Sequence, residues 1–104
     1  MCIRDSGGTV TLNPANAVFV KIGSLSADTD IKGISGGENG RFLILYNSST
    51  TNTLDLLHDD SGESTAANRI YTMTANKVTI TARGSAMLIY DTGDDRWIVI
   101  SVNP

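Results

Sequence analysis

One cysteine, Cys2, and one histidine, His58, are all the thiol and imidazole side chains that the sequence holds. A lone cysteine excludes an intrachain disulfide and any centre built on several thiolate ligands. A single imidazole is too few for a cupin-type metal site, which needs two or three with a carboxylate. The one G-x-S-x-G spacing, Gly33-Ile34-Ser35-Gly36-Gly37, is not the nucleophile elbow of a serine hydrolase, which leads from a strand into a helix, whereas no helix is expected here. No apolar run reaches the roughly 18–20 residues of a membrane-spanning helix, and no basic amphipathic segment occurs. Lys21, Lys32, Arg41, Arg69, Lys77, Arg83 and Arg96 are scattered along a chain of formal charge −3, which argues against nucleic acid as a partner. The expectation is a non-catalytic module without metal or cofactor and without membrane insertion.

The first six residues, Met1-Cys2-Ile3-Arg4-Asp5-Ser6, resemble the translated end of a transposase sequencing adapter, which reads Met-Cys-Ile-Arg-Asp and then Ser or Arg. On that reading residues 1–6 lie outside the fold and 7–104 form a single domain, the C-terminal fragment of a longer protein. Nothing about targeting then follows from the start of the chain. The charge stays at −3 without the segment, because Arg4 and Asp5 cancel. What remains is one domain's worth of chain, since domains commonly run to about 100–150 residues.

What is present is a succession of short bursts of Thr, Val, Ile, Leu and Tyr between turn residues, the pattern of strands rather than helices. The bursts predict strands at Thr9–Leu12, Phe19–Ile22, Asp30–Ile34, Arg41–Tyr46, Thr53–His58, Arg69–Met73, Lys77–Thr81, Ala86–Tyr90 and Arg96–Val102. Turns are expected at Asn13-Pro14, Gly36-Gly37, Asn39-Gly40, Ser61-Gly62, Arg83-Gly84 and Gly93-Asp94, where glycine or asparagine takes positive φ at little cost. The fold class that follows is all-β, an antiparallel β-sandwich of jelly-roll type with no substantial helix.

The strands are of two kinds. Lys77-Val78-Thr79-Ile80-Thr81 alternates polar with apolar, so one face meets water and the other the core. Phe42-Leu43-Ile44-Leu45-Tyr46, Met87-Leu88-Ile89-Tyr90 and Trp97-Ile98-Val99-Ile100 are apolar on both faces, and both faces call for cover. Loops of the same chain or further subunits are the two ways to provide it.

Candidate site residues lie mainly in two connections. Asn47-Ser48-Ser49-Thr50-Thr51-Asn52-Thr53 reads as a polar hairpin loop, and His58 to Asn68 is the longest stretch without apolar periodicity, a length that is often functional or mobile. Asn47, Ser48, Asn52, Asp59, Asp60 and Glu63 are the expected receptor contacts, because loops on a rigid scaffold usually carry function. Asp91, Asp94 and Asp95 form a second acidic group, but neither group has EF-hand spacing. A glycosidase would also use two carboxylates, at a separation that sequence does not reveal. Four residues are assigned structural roles. His58 alternates with Leu54 and Leu56 and is expected to cap the core. Arg69 is expected to clamp the long loop through Asp59 or Asp60. Trp97 is expected inside the core with Tyr90 nearby.

The order of these segments carries a resemblance. Ile31-Lys32-Gly33-Ile34-Ser35-Gly36-Gly37 leads through Asn39-Gly40-Arg41 into the apolar run Phe42–Tyr46, which ends at Asn47. Leu54-Asp55-Leu56-Leu57-His58-Asp59, Ser64-Thr65-Ala66-Ala67-Asn68-Arg69-Ile70, Tyr90-Asp91 and Arg96-Trp97 follow. Together they resemble a β-rich module of tail-fibre and related appendage proteins of tailed bacteriophages. The match spans nearly all of the chain after Gly7, and its specificity lies in order and spacing. Ala75-Asn76-Lys77 departs from it, where a turn richer in Gly or Pro is expected.

The resemblance implies a virion structural protein, made in the host cytoplasm and extracellular once assembled, acting as a homotrimer that binds a host-surface glycan or protein. It implies no catalytic residues. The alternative is a carbohydrate-binding module of a larger secreted enzyme, which an exposed aromatic platform would favour; a third is a small cupin-like enzyme with metal at His58.

Overall fold

A computed structural model describes residues 2–4, 8–23, 28–72 and 74–103. Ten strands occur among them: β1 (Cys2–Arg4), β2 (Gly8–Leu12), β3 (Phe19–Gly23), β4 (Thr29–Ile34), β5 (Phe42–Asn47), β6 (Leu54–Leu56), β7 (Ile70–Tyr71), β8 (Val78–Ile80), β9 (Ser85–Asp91) and β10 (Arg96–Asn103). The other regular element among the described residues is a single 3₁₀ turn, Ala66–Asn68. Each expected strand from Thr9 onward has a counterpart, shorter at Thr53–His58 and, among the described residues, at Arg69–Met73, of which Met73 lies outside them.

The strands form a six-stranded sheet, in the order β1-β3-β5-β9-β10-β7, and a four-stranded sheet, β2-β4-β6-β8. Their buried side chains make one hydrophobic cluster, from Leu12, Ile31, Ile34, Leu54, Leu56 and Ile80 of the smaller sheet to Val20, Leu43, Leu45, Leu88, Trp97 and Val99 of the larger. The all-β, two-sheet expectation therefore holds, while antiparallel jelly-roll connectivity does not form. From β1 to β6 the chain passes alternately from one sheet to the other, so β1, β3 and β5 run parallel, as do β2, β4 and β6. This is the coil of a short β-solenoid. Parallel neighbours need a crossover, and here each crossover is a strand of the opposite sheet instead of a helix.

Antiparallel pairing closes the coil. β9 runs antiparallel to β5 and β10 to β9 in the larger sheet, while β8 runs antiparallel to β6 in the smaller. β7 lies parallel to β10 at the far edge. Cys2–Arg4, expected outside the fold, pairs with Lys21–Gly23 at the opposite edge. An edge strand's free N–H and C=O groups accept almost any extended segment, so such pairing needs no specific sequence.

Turn chemistry departs in part from expectation. Gly36 and Gly40 do take positive φ, at 81° and 80°. At the Arg83-Gly84 turn, however, it is Arg83 that does so, with φ 66°. A Cβ on Gly84 would lie 2.8 Å from the Asn103 carbonyl oxygen, so glycine is needed there for close approach. Ala75, at φ 61°, carries the turn that was expected to be richer in glycine, and β8 begins at Val78 rather than Lys77.

Candidate functional site

The long loop after β6 is fastened to the body at many points. The Nε of Arg96 donates to Asp59 Oδ1 at 2.9 Å, and Arg69 Nη1 stands 3.9 Å from the same oxygen. Arg69 Nε donates to the Glu63 carbonyl at 3.0 Å. The clamp expected at Arg69 is thus shared, and Arg96 is the closer partner of Asp59. The signal for Arg96 in the sequence is its place directly before Trp97, which puts it on the outward face of β10, where the loop lies.

Glu63 sits inside this arrangement and is buried. Its carboxylate accepts from the Thr11 hydroxyl and from the Thr65 amide. The Thr11 hydrogen bond holds the Glu63 carboxyl below the usual glutamate range, against the opposing effect of burial. Asp60 is half-buried and its carbonyl accepts the Glu63 amide at 3.0 Å. His58 Nδ1 accepts the Thr72 amide at 3.0 Å while its ring stacks on Tyr71 with centroids 5.4 Å apart. The histidine therefore bridges this loop to the segment after β7.

The connection after β5 is organised by Asn47, which is wholly buried. Its Nδ2 donates to the carbonyls of Asn52, Ile80 and Thr81, and its Oδ1 accepts the Ser49 amide. Ser48 Oγ donates to the Ile22 carbonyl at 2.9 Å. Asn47 and Glu63, expected among the receptor contacts, thus point inward, because the coil brings carbonyls and hydroxyls from distant strands against them. Ser48, Asn52, Asp59 and Asp60 are partly exposed and spend much of their polarity on the chain itself.

Trp97 is wholly buried and Tyr90 almost so. Their rings meet edge to face at 5.3 Å, and the Tyr90 hydroxyl donates to the Ala67 carbonyl at 2.9 Å. Burial pushes the Tyr90 phenol pKa up. Neither ring forms a surface platform.

What the strands leave outside is a broad apolar face on the larger sheet. Phe19 stands opposite Ile44 and Ile44 opposite Met87; Phe42 stands opposite Ile89, Ile89 opposite Ile98, and Ile98 opposite Tyr71. Phe19 stacks on Tyr46 with centroids 6.3 Å apart. A register shift between Val99 and Ser101 leaves Ile100 outside the pairing. Phe19 and Ile100 are each 47% exposed and Met87 37%. Of the two covers open to the doubly apolar strands, loops of the chain leave these positions accessible.

Beside this face, the loops before β3 and β5 line an open pocket of about 530 Å³. Arg41 builds it, donating to the Gly36, Ala15 and Ala17 carbonyls and thereby tying the two loops together. Its guanidinium carbon also lies 5.8 Å from the Trp97 ring centroid, a cation–π distance.

Among the described residues no group of three or more His, Cys, Asp and Glu could hold a metal ion, and no helix is long and apolar enough to cross a membrane. The chain matches no protein-family model and no curated protein.

Proposed function

We propose that the chain is a non-catalytic structural and adhesive module of a bacteriophage tail fibre or similar virion appendage, working as a homo-oligomer of three copies. The observation that carries this reading is the apolar outer face of the larger sheet. Four adjacent strands, about 4.8 Å apart and rising about 3.3 Å per residue, present a face on the order of 20 Å across. Soluble monomers rarely expose a contiguous apolar patch beyond about 300–600 Å², and one partner in a standard interface buries about 800 Å². A face of this size and chemistry suits a copy of the same chain. The segment order from Ile31 to Trp97, resembling phage appendage modules, supplies the setting, and the two well-fastened loops supply a rigid scaffold of the kind that carries adhesive surfaces.

Light scattering after size exclusion tests the reading directly. The unaltered chain is expected to run as a trimer, and Met87→Lys, which places a charge in the middle of the face, is expected to yield a folded monomer. A monomeric unaltered chain would overturn self-association. It would move weight to a carbohydrate-binding module, for which the Phe19–Tyr46 pair is the specific favouring feature.

A further inference from the structure

We infer that the cavity built by Arg41 is a binding site for a neutral sugar unit of a glycan. The inference rests on the adhesive reading and locates its contact away from the two loops that the sequence suggested. The volume, about 530 Å³, falls within the roughly 300–1,000 Å³ of small-ligand sites.

The lining decides the ligand class. Arg41 is already committed, its donors on three carbonyls and its face toward Trp97. An anion therefore finds no free guanidinium and meets the Glu38 carboxylate on the wall. A metal ion finds one carboxylate where calcium wants six to eight oxygens. What the cavity offers is a carboxylate on Glu38 and an amide on Asn16, neither with a side-chain partner among the described residues. Asn39, its Oδ1 accepting the Thr92 amide, keeps its amide hydrogens for other acceptors. Val18, 56% exposed, and half-buried Phe42 add apolar surface to the same lining.

That combination fits a pyranose. A carboxylate accepts two neighbouring hydroxyls, amides both donate and accept, and the C–H face of the ring packs against apolar or aromatic carbon. Rigidity is built in, since Arg41 holds both loops in place without a ligand and leaves little ordering cost to binding.

Saturation-transfer difference NMR on the 104-residue chain, with glucose, galactose, mannose and N-acetylglucosamine as probes, tests the site. At least one of these sugars is expected to receive saturation, and Glu38→Gln is expected to weaken its binding roughly tenfold, as loss of a charge-assisted hydrogen bond does. Asn16→Ala is expected to weaken it as well. Both residues are exposed, so thermal melting of the variants should match the unaltered chain. No transfer from any of the four sugars, or transfer undiminished in both variants, would overturn the inference. Light scattering reads self-association separately, so a sugar-blind trimer would sink this site and leave the structural reading intact.

Discussion

The indole Nε1–H of Trp97 donates to the Ile34 carbonyl at 2.8 Å, a buried bond that runs from the six-stranded sheet to the four-stranded one. Most contacts between the sheets are apolar and non-directional; this one sets how β10 lies over β4. Trp97→Phe removes the donor, leaves a buried carbonyl without a partner and opens a void. The expected loss is about 2–4 kcal/mol, read from the urea midpoint at unchanged slope. A loss below about 1 kcal/mol would show that water or a shift of β10 replaces the bond.

Asn47 is a second internal tie, with one amide serving three carbonyls. Asn47→Ala is expected to cost about 2–4 kcal/mol through unsatisfied buried groups. Asn47→Asp should cost more, because it replaces donors with a charge facing the same carbonyls. Equal melting temperatures for the two variants would contradict this account.

Two carboxyls give opposite pH dependences. Glu63 is held low, mainly by the Thr11 hydrogen bond, so its stabilising contribution is complete above the ordinary glutamate pKa and is lost as pH falls through the lowered folded value. Asp30 is pushed up, first by burial and then by Asp55, which it faces in parallel register; Asp28 adds to the repulsion and Lys77 opposes it. Its contribution is complete below the ordinary aspartate pKa and is lost as pH rises through the raised folded value.

Asp55 Oδ1 is buried with no hydrogen-bond donor among the described residues, and Asp30 is its neighbour across the parallel register. Asp30→Asn should therefore melt higher than the unaltered chain near neutral pH, and the advantage should shrink on acidification. Thermal melts across a pH series check it; an advantage that is constant with pH would rule out the carboxyl pair as its source.

Ala75 holds φ at 61° in an exposed turn. A left-handed conformation costs a non-glycine residue roughly 1–2 kcal/mol, partly offset by the greater unfolded-state freedom of glycine. Ala75→Gly is expected to stabilise the chain by up to about 1 kcal/mol, measured by denaturant unfolding. A destabilised variant would show that the turn is not strained.

The sequence by itself determined the strands from Thr9 onward and, where polar and apolar residues alternate, which face points inward. Val78 to Ile80 alternates as a half-exposed strand should, because a period of two is a local property of extended backbone. It also showed that β5, β9 and β10 carry apolar residues on both faces. The surplus face that follows is a matter of composition, legible before any pairing is known.

Tertiary structure alone decided which strands are neighbours and in what direction they run. Alternation says the same thing of a parallel strand as of an antiparallel one, so the coil through β6 was invisible in it. The inward turn of Asn47 and Glu63 was equally hidden, because their partners Ile80, Thr81 and Thr11 are far away along the chain. The Arg41 cavity arises in the same way. Residues 15–18 and 36–42 are unremarkable loops until the coil stacks them and one guanidinium, too costly to bury without acceptors, gathers their carbonyls.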